Sequence, residues 1–145
     1  MPEGLLYQEE FLSRQDEAGL LAEIRRLPLE EAKYKSFTAK RRIAAFGSSY
    51  DFETNVLGPA PEIPPFLLPL KRRAADLIPV HGISLAGSCR MRFRRHPPAK
   101  GAKVFSLDLA PRSVYVLRDE IRWRWQHSVA RTKELRYSIT FRTSR

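Results

Sequence analysis

The stretch Arg136-Tyr137-Ser138-Ile139-Thr140-Phe141-Arg142 alternates with a period of two, and the same period runs through the second half of the chain. On a strand, Arg136, Ser138, Thr140 and Arg142 point one way and Tyr137, Ile139 and Phe141 the other. The second set is an ordinary core face. The first is a row of hydrogen-bond donors with an arginine at each end, and a guanidinium there can grip a carboxylate or phosphate through two parallel hydrogen bonds. Upstream, His127 closes the run Ile121-Arg122-Trp123-Arg124-Trp125-Gln126-His127. Alternation places His127 on one face with Ile121, Trp123 and Trp125, and both tryptophans read as core. A histidine ahead of such an arginine strand is half of a site for a metal and an oxoacid.

Working outward, Gly82–Ala86, Cys89–Arg94, Val104–Leu109, Ser113–Leu117, Ile121–His127 and Leu135–Arg142 read as six short strands between turn residues, the cadence of an antiparallel sandwich or barrel. Arg90, Arg92 and Arg94 share a strand face opposite Met91 and Phe93 and form a solvated basic stripe. The first half is different. Tyr7–Phe11 reads as a short strand, and Ser13 as the N-cap of a helix with Leu20, Leu21, Ile24 and Leu27 as its apolar stripe, ended by Pro28. Glu17 lies four residues beyond Ser13, one too many for a capping box. Lys33–Arg42 is polar and basic. Ile43–Phe46 resembles a short strand, followed by the turn Gly47-Ser48-Ser49 and the group Tyr50-Asp51-Phe52. Gly58–Pro65 is a stiff extended connection into a helix over Phe66–Leu77, with Leu67, Leu70, Ala74 and Leu77 turned inward. The expected fold is mainly β with an α/β N-terminal part.

The 145 residues suit a single domain, 1–145, large enough to bury a core. Net charge is +10, unevenly spread: residues 1–70 hold 8 Lys/Arg and 11 Asp/Glu, and residues 71–145 hold 18 and 5. A net of +13 in the second half points to a polyanionic partner, nucleic acid first among them. No apolar run is long enough to span a membrane and no export signal is recognisable. The single Cys89 excludes an intramolecular disulfide and fits a reducing cytoplasm.

Taken in order, Arg42–Phe52, Ile63–Phe66, Gly82–Leu85, Met91–Arg95, Leu109–Tyr115, Trp125–Ser128 and Arg136–Arg142 resemble the AlkB-like family of iron(II)- and 2-oxoglutarate-dependent dioxygenases. The family removes alkyl groups oxidatively from nucleobases in DNA or RNA and, in some branches, from other substrates. The resemblance implies a double-stranded β-helix, or jelly roll. It implies that His127 is the distal iron ligand and that Arg136 clamps the far carboxylate of 2-oxoglutarate, with Ser138 or Thr140 alongside as donors. Arg142 matches the second arginine of that motif. Tyr50, Asp51 and Arg42, the last within Lys40-Arg41-Arg42, fall in the region the family uses as a lid over the damaged nucleotide.

One departure matters. The family's first two iron ligands form a His-x-Asp pair, whereas the three histidines here read His81-Gly-Ile, His96-Pro-Pro and His127-Ser-Val. Ile78-Pro79-Val80-His81 joins directly a helix and a strand between which the family places further strands, so about three to four dozen residues are absent near 78–81. The expectation is therefore an incomplete jelly roll with impaired catalysis and strand edges open to association. His81 with Asp76 or Asp108 is the substitute ligand set to weigh, but nothing in the spacing recommends it. His81 and His96 read as surface or edge histidines and Cys89 as a small buried hydrophobe. Two other readings stand beside this one: a non-catalytic nucleic-acid-binding remnant, and a fragment without a stable fold.

Overall fold

The computed structural model describes residues 2–34, 37–43, 48–51, 56–59, 62–96, 101, 103–130, 132 and 134–142, with only the course of the backbone between 30 and 59. In chain order the elements are β1 (Leu5–Gln8), α1 (Arg14–Ile24), β2 (Glu30–Tyr34), β3 (Phe37–Ile43), β4 (Ser48–Asp51), β5 (Val56–Pro59), a 3-10 turn (Pro65–Leu67), α2 (Leu68–Arg73), β6 (Val80–Ala86), β7 (Cys89–Arg95), β8 (Phe105–Leu109), β9 (Val114–Leu117), α3 (Asp119–Trp123), β10 (Trp125–Val129) and β11 (Arg136–Arg142). They divide into two compact units, 1–21 with 74–145, and 22–73.

The first unit holds a four-stranded antiparallel sheet, β1-β9-β6-β11, and a three-stranded one, β10-β7-β8. Neither closes into a barrel among the described residues. Burial alternates along β7 as the sequence pattern demands: Cys89, Met91 and Phe93 are buried, while Arg90, Arg92, Arg94 and Arg95 are exposed. Met91 and Phe93 join Leu109 of the same sheet in one core with Leu5, Val80, Tyr115 and Leu117 of the four-stranded sheet. Tyr7, Phe105, Leu107 and Trp125 pack against its margin. The inner faces of the two sheets therefore make one apolar layer, and burying it is the main stabilising term.

Ser13 caps α1, its hydroxyl accepting from the Asp16 amide at 3.0 Å while the Asp16 carboxylate accepts from the Ser13 amide at 3.4 Å. Asp16 thus completes the capping box that Glu17 is one residue too late to make. Glu17 has another task. Its carboxylate accepts from the Ala86 amide at 3.0 Å and from Arg112 at 3.3 Å, and Arg112 also reaches Glu10. The first turns of α1 are tied to the β6 end and to the turn before β9 by this network.

In the second unit β2 pairs with β3 and β4 with β5, both antiparallel. Ser48 and Ser49 open β4, where a turn was expected, and Val56–Pro59 takes the start of the expected stiff connection into a strand. Of the expected strand Ile43–Phe46, Ile43 ends β3 and 44–47 lie outside the described residues. The expected helix over Phe66–Leu77 is a 3-10 turn followed by α2, which stops at Arg73. Leu67, Leu70 and Ala74 are nonetheless buried as the stripe required.

One strand boundary was misplaced. Asp119–Trp123 is helical, and the strand begins only at Trp125. His127 therefore shares a face with Trp125 but not with Ile121 or Trp123. Trp123 is no core residue: it is 49% exposed, with the Arg122 guanidinium 4.4 Å from its ring centre. Period-two reading cannot separate one short helical turn from a strand when apolar and charged residues alternate through both.

Candidate functional site

β11 pairs with β6 in the register Arg136 to Ala86, Ser138 to Ser84, Thr140 to Gly82 and Arg142 to Val80. Directly paired residues share a face, so the donor row stands beside Gly82 and Ser84. Gly82 in turn pairs with Tyr115 of β9. A Cβ on Gly82 would collide with the Tyr115 ring, so the glycine is what lets that ring lie across the sheet. Tyr115 belongs to the core between the two sheets, which puts the whole row on the inner side of the four-stranded sheet.

Arg136 is half-buried, and one of its terminal nitrogens donates to the Ser84 hydroxyl at 2.8 Å. Its Nε is buried with no hydrogen-bond partner among the described residues. Ser138, Thr140 and Arg142 are exposed, so the row opens to solvent beyond Arg136. Burial pushes the Tyr115 hydroxyl up from its ordinary value, while Arg136, Thr140 and Arg142 pull it down. Both arginines thus act on one phenol from opposite ends of a seven-residue strand. Their Cα atoms are about 20 Å apart at strand rise, so the two arginines stand at opposite ends of the row. Burial also raises the Cys89 thiol, against the pull of Arg136. Arg136 and Ser84 thus form a hydrogen-bonded pair beside Tyr115, with one buried N–H of Arg136 that no described residue satisfies.

Tyr115, Ser84 and Gly82 carry no role in the sequence reading. The available signal was a glycine inside a strand, Gly82, which marks a place where something approaches closely.

His127 lies on the other sheet. It pairs with Phe93, their ring centres 6.1 Å apart, and lines an open cavity of about 550 Å³ with Phe93, Val104, Leu117, Arg122 and Trp125. No described residue of the Arg136 row lines that cavity. The structure thus brings Arg136, Ser138, Thr140 and Arg142 together on one strand and sets His127 on another sheet. Arg42, Tyr50 and Asp51 pair with Glu31, Leu57 and Val56 in the second unit, and their side chains lie outside the described ones.

A redox-active iron needs three convergent donors, and the described residues do not supply them. Among the described residues no group of three or more His, Cys, Asp or Glu is placed to hold a metal. Asp108 points from the outer face into a 2.9 Å ion pair with Arg90, which holds its carboxyl below the usual carboxylate range. His81 corrects the expectation of a surface histidine. It is 5% exposed, in an inner strand of its sheet, with Nδ1 2.7 Å from the Leu77 carbonyl and its ring 5.1 Å from that of Phe141. His96 is exposed and Cys89 buried, as expected.

No protein-family model matches the chain, and no curated protein is significantly similar to it. Among the described residues no helix is long and apolar enough to cross a membrane.

Burial lowers the His81 pKa from its ordinary 6.5, only partly opposed by the hydrogen bond to Leu77. The folded state then binds this proton more weakly than the unfolded chain does. His81's contribution to stability is complete above the unfolded value and is lost as pH falls through the folded one. The melting temperature should drop between about pH 7.5 and about pH 5.5, and His81→Asn, which keeps a donor without titrating, should flatten the drop. Equal slopes in both proteins would assign the pH dependence to other groups.

Proposed function

We propose that this chain is an AlkB-like domain, an iron(II)- and 2-oxoglutarate-dependent dioxygenase by descent, which keeps the carboxylate-gripping strand and has lost the iron centre. Its fold is a shortened double-stranded β-helix, and it binds a 2-oxo dicarboxylate without carrying out oxidative dealkylation of nucleobases. One observation carries this reading: Arg136 stands on the inner side of a two-sheet sandwich, bonded to Ser84 and with a buried Nε that has no partner among the described residues. A half-buried guanidinium short of acceptors favours an anion with two oxygens in one plane. Ser138 and Thr140 offer hydroxyls along the same face, and Arg142 supplies a second cation at its far end. When bound, iron would supply oxygen activation, and the described donors do not provide for it.

The test is ligand stabilisation. Millimolar 2-oxoglutarate without metal should raise the melting temperature by about 3–5 °C, the shift expected of a ligand well above its Kd. Arg136→Met should remove the shift while leaving a cooperative melt. An unchanged melt in the parent protein, or an equal rise in the variant, would refute the reading.

A second reading, nucleic-acid binding without catalysis, is favoured by the outer face of the three-stranded sheet. Arg90, Arg92 and Arg94 project there, at intervals of about 7 Å, with Gln126 and Ser128 opposite Arg94 and Arg92. Asp108 neutralises Arg90, and Arg94 donates to Gln126 at 3.2 Å. Binding of a single-stranded oligonucleotide should weaken steeply between about 50 and 200 mM salt, with a shallower slope in Arg92→Gln. Flat or absent binding removes this reading.

A further inference from the structure

β10 has β7 on one side and, among the described residues, no strand on the other. Its ladder fixes which backbone groups face that open side. The His96 amide donates to the Arg124 carbonyl and the Ala130 amide to the Arg90 carbonyl, and the register between them pairs Gln126 with Arg94 and Ser128 with Arg92. In an antiparallel ladder these even-numbered positions turn their backbone groups toward β7, so Trp125 and Val129 turn theirs outward. The strand Trp-Gln-His-Ser-Val carries no charged residue and no proline, the usual devices that keep an edge from pairing. Its inner-face side chains are unevenly covered: Val129 is 44% exposed, whereas the Trp125 indole N–H is buried and meets no acceptor among the described residues.

The open cavity of about 550 Å³ lies alongside this strand. Its lining is apolar at Phe93, Val104, Leu117 and Trp125 and includes Arg92, Arg94 and Arg122, the first two with side chains on the outer face of β7, and no acidic residue among the described ones. Arg95 adds a further guanidinium 5.7 Å from the Trp125 ring centre. An added strand places alternate side chains in such a pocket and draws its affinity from main-chain hydrogen bonds.

We propose that the outer edge of β10 is a docking site for an extended acidic segment of a partner protein, which adds as a strand and seats an apolar side chain in the adjoining cavity. Charge decides the occupant. A second copy of this chain, itself +10, would bring one arginine-rimmed edge against another. An acidic strand with alternating apolar residues meets both the rim and the pocket. The proposal does not depend on the oxoacid site, which lies on β11.

The experiment uses the full chain and a dye-labelled peptide of alternating glutamate and valine, followed by fluorescence anisotropy. The matching lysine–valine peptide, a glutamate–glycine peptide and an oligothymidylate are the controls. The glutamate–valine peptide should bind best, and Val129→Pro should weaken it about tenfold, the loss of one backbone hydrogen bond, without disturbing the β10–β7 ladder. Val129→Glu, which keeps the amide but repels an acidic strand, supplies the same test if the proline variant does not fold. Equal binding of the lysine peptide, unchanged affinity in both variants, or binding of oligothymidylate alone would overturn the proposal. A dimer in sedimentation that Val129→Glu dissolves would assign the edge to a second copy and overturn it equally.

Discussion

The guanidinium of Arg136 lies on the inner side of the four-stranded sheet, and the rest of the sandwich is arranged around that placement. A half-buried cation needs acceptors, and the fold supplies one through Ser84 of the neighbouring strand. Ser84 can be there because β6 and β11 pair without a slip over seven residues, and a slip of one would turn the whole donor row to the other face. Gly82 makes room for the Tyr115 ring in the same layer. Tyr115 then links the polar row to the apolar core of Met91, Phe93 and Leu117. The site and the core are therefore one packing problem, and the Arg136 Nε is the buried donor that no described residue satisfies.

Much of the β architecture is legible in the sequence because period two is a strong signal where one face is buried. β7 and β11 lie within a residue of their expected bounds, and the alternation of Met91 and Phe93 with Arg90, Arg92 and Arg94 places the core and basic faces correctly. The signal fails where its cause is absent. Asp119–Trp123 makes barely one helical turn, so its apolar residues fit either period, and Trp123 was assigned to a core it does not join. His81 reads as a surface or edge histidine, yet β6 is flanked on both sides by β9 and β11 and its ring is enclosed. The donor row was legible, but its partners Ser84 and Tyr115 were not, since cross-strand register depends on pairing that no local pattern specifies.

The separation of His127 from the Arg136 row gives the site its chemical character. His127 lies in a three-stranded sheet against Phe93, and Arg136 across the core in the other sheet. Carboxylate recognition needs only the second of these, whereas oxygen chemistry needs further donors beside the first. Asp108, the acidic side chain that β8 brings to that sheet, is turned outward and held by Arg90. The two halves of the expected site are therefore separate features of the fold, and the arginine row stands without the histidine.

Anaerobic titration of the purified protein with Fe(II) in the presence of 2-oxoglutarate, following the metal-to-ketoacid charge-transfer absorbance, tests this separation most directly. The account predicts no saturable band, although 2-oxoglutarate binds. A band saturating at one iron per chain would contradict it, because an iron centre would then have been rebuilt from donors other than those described here.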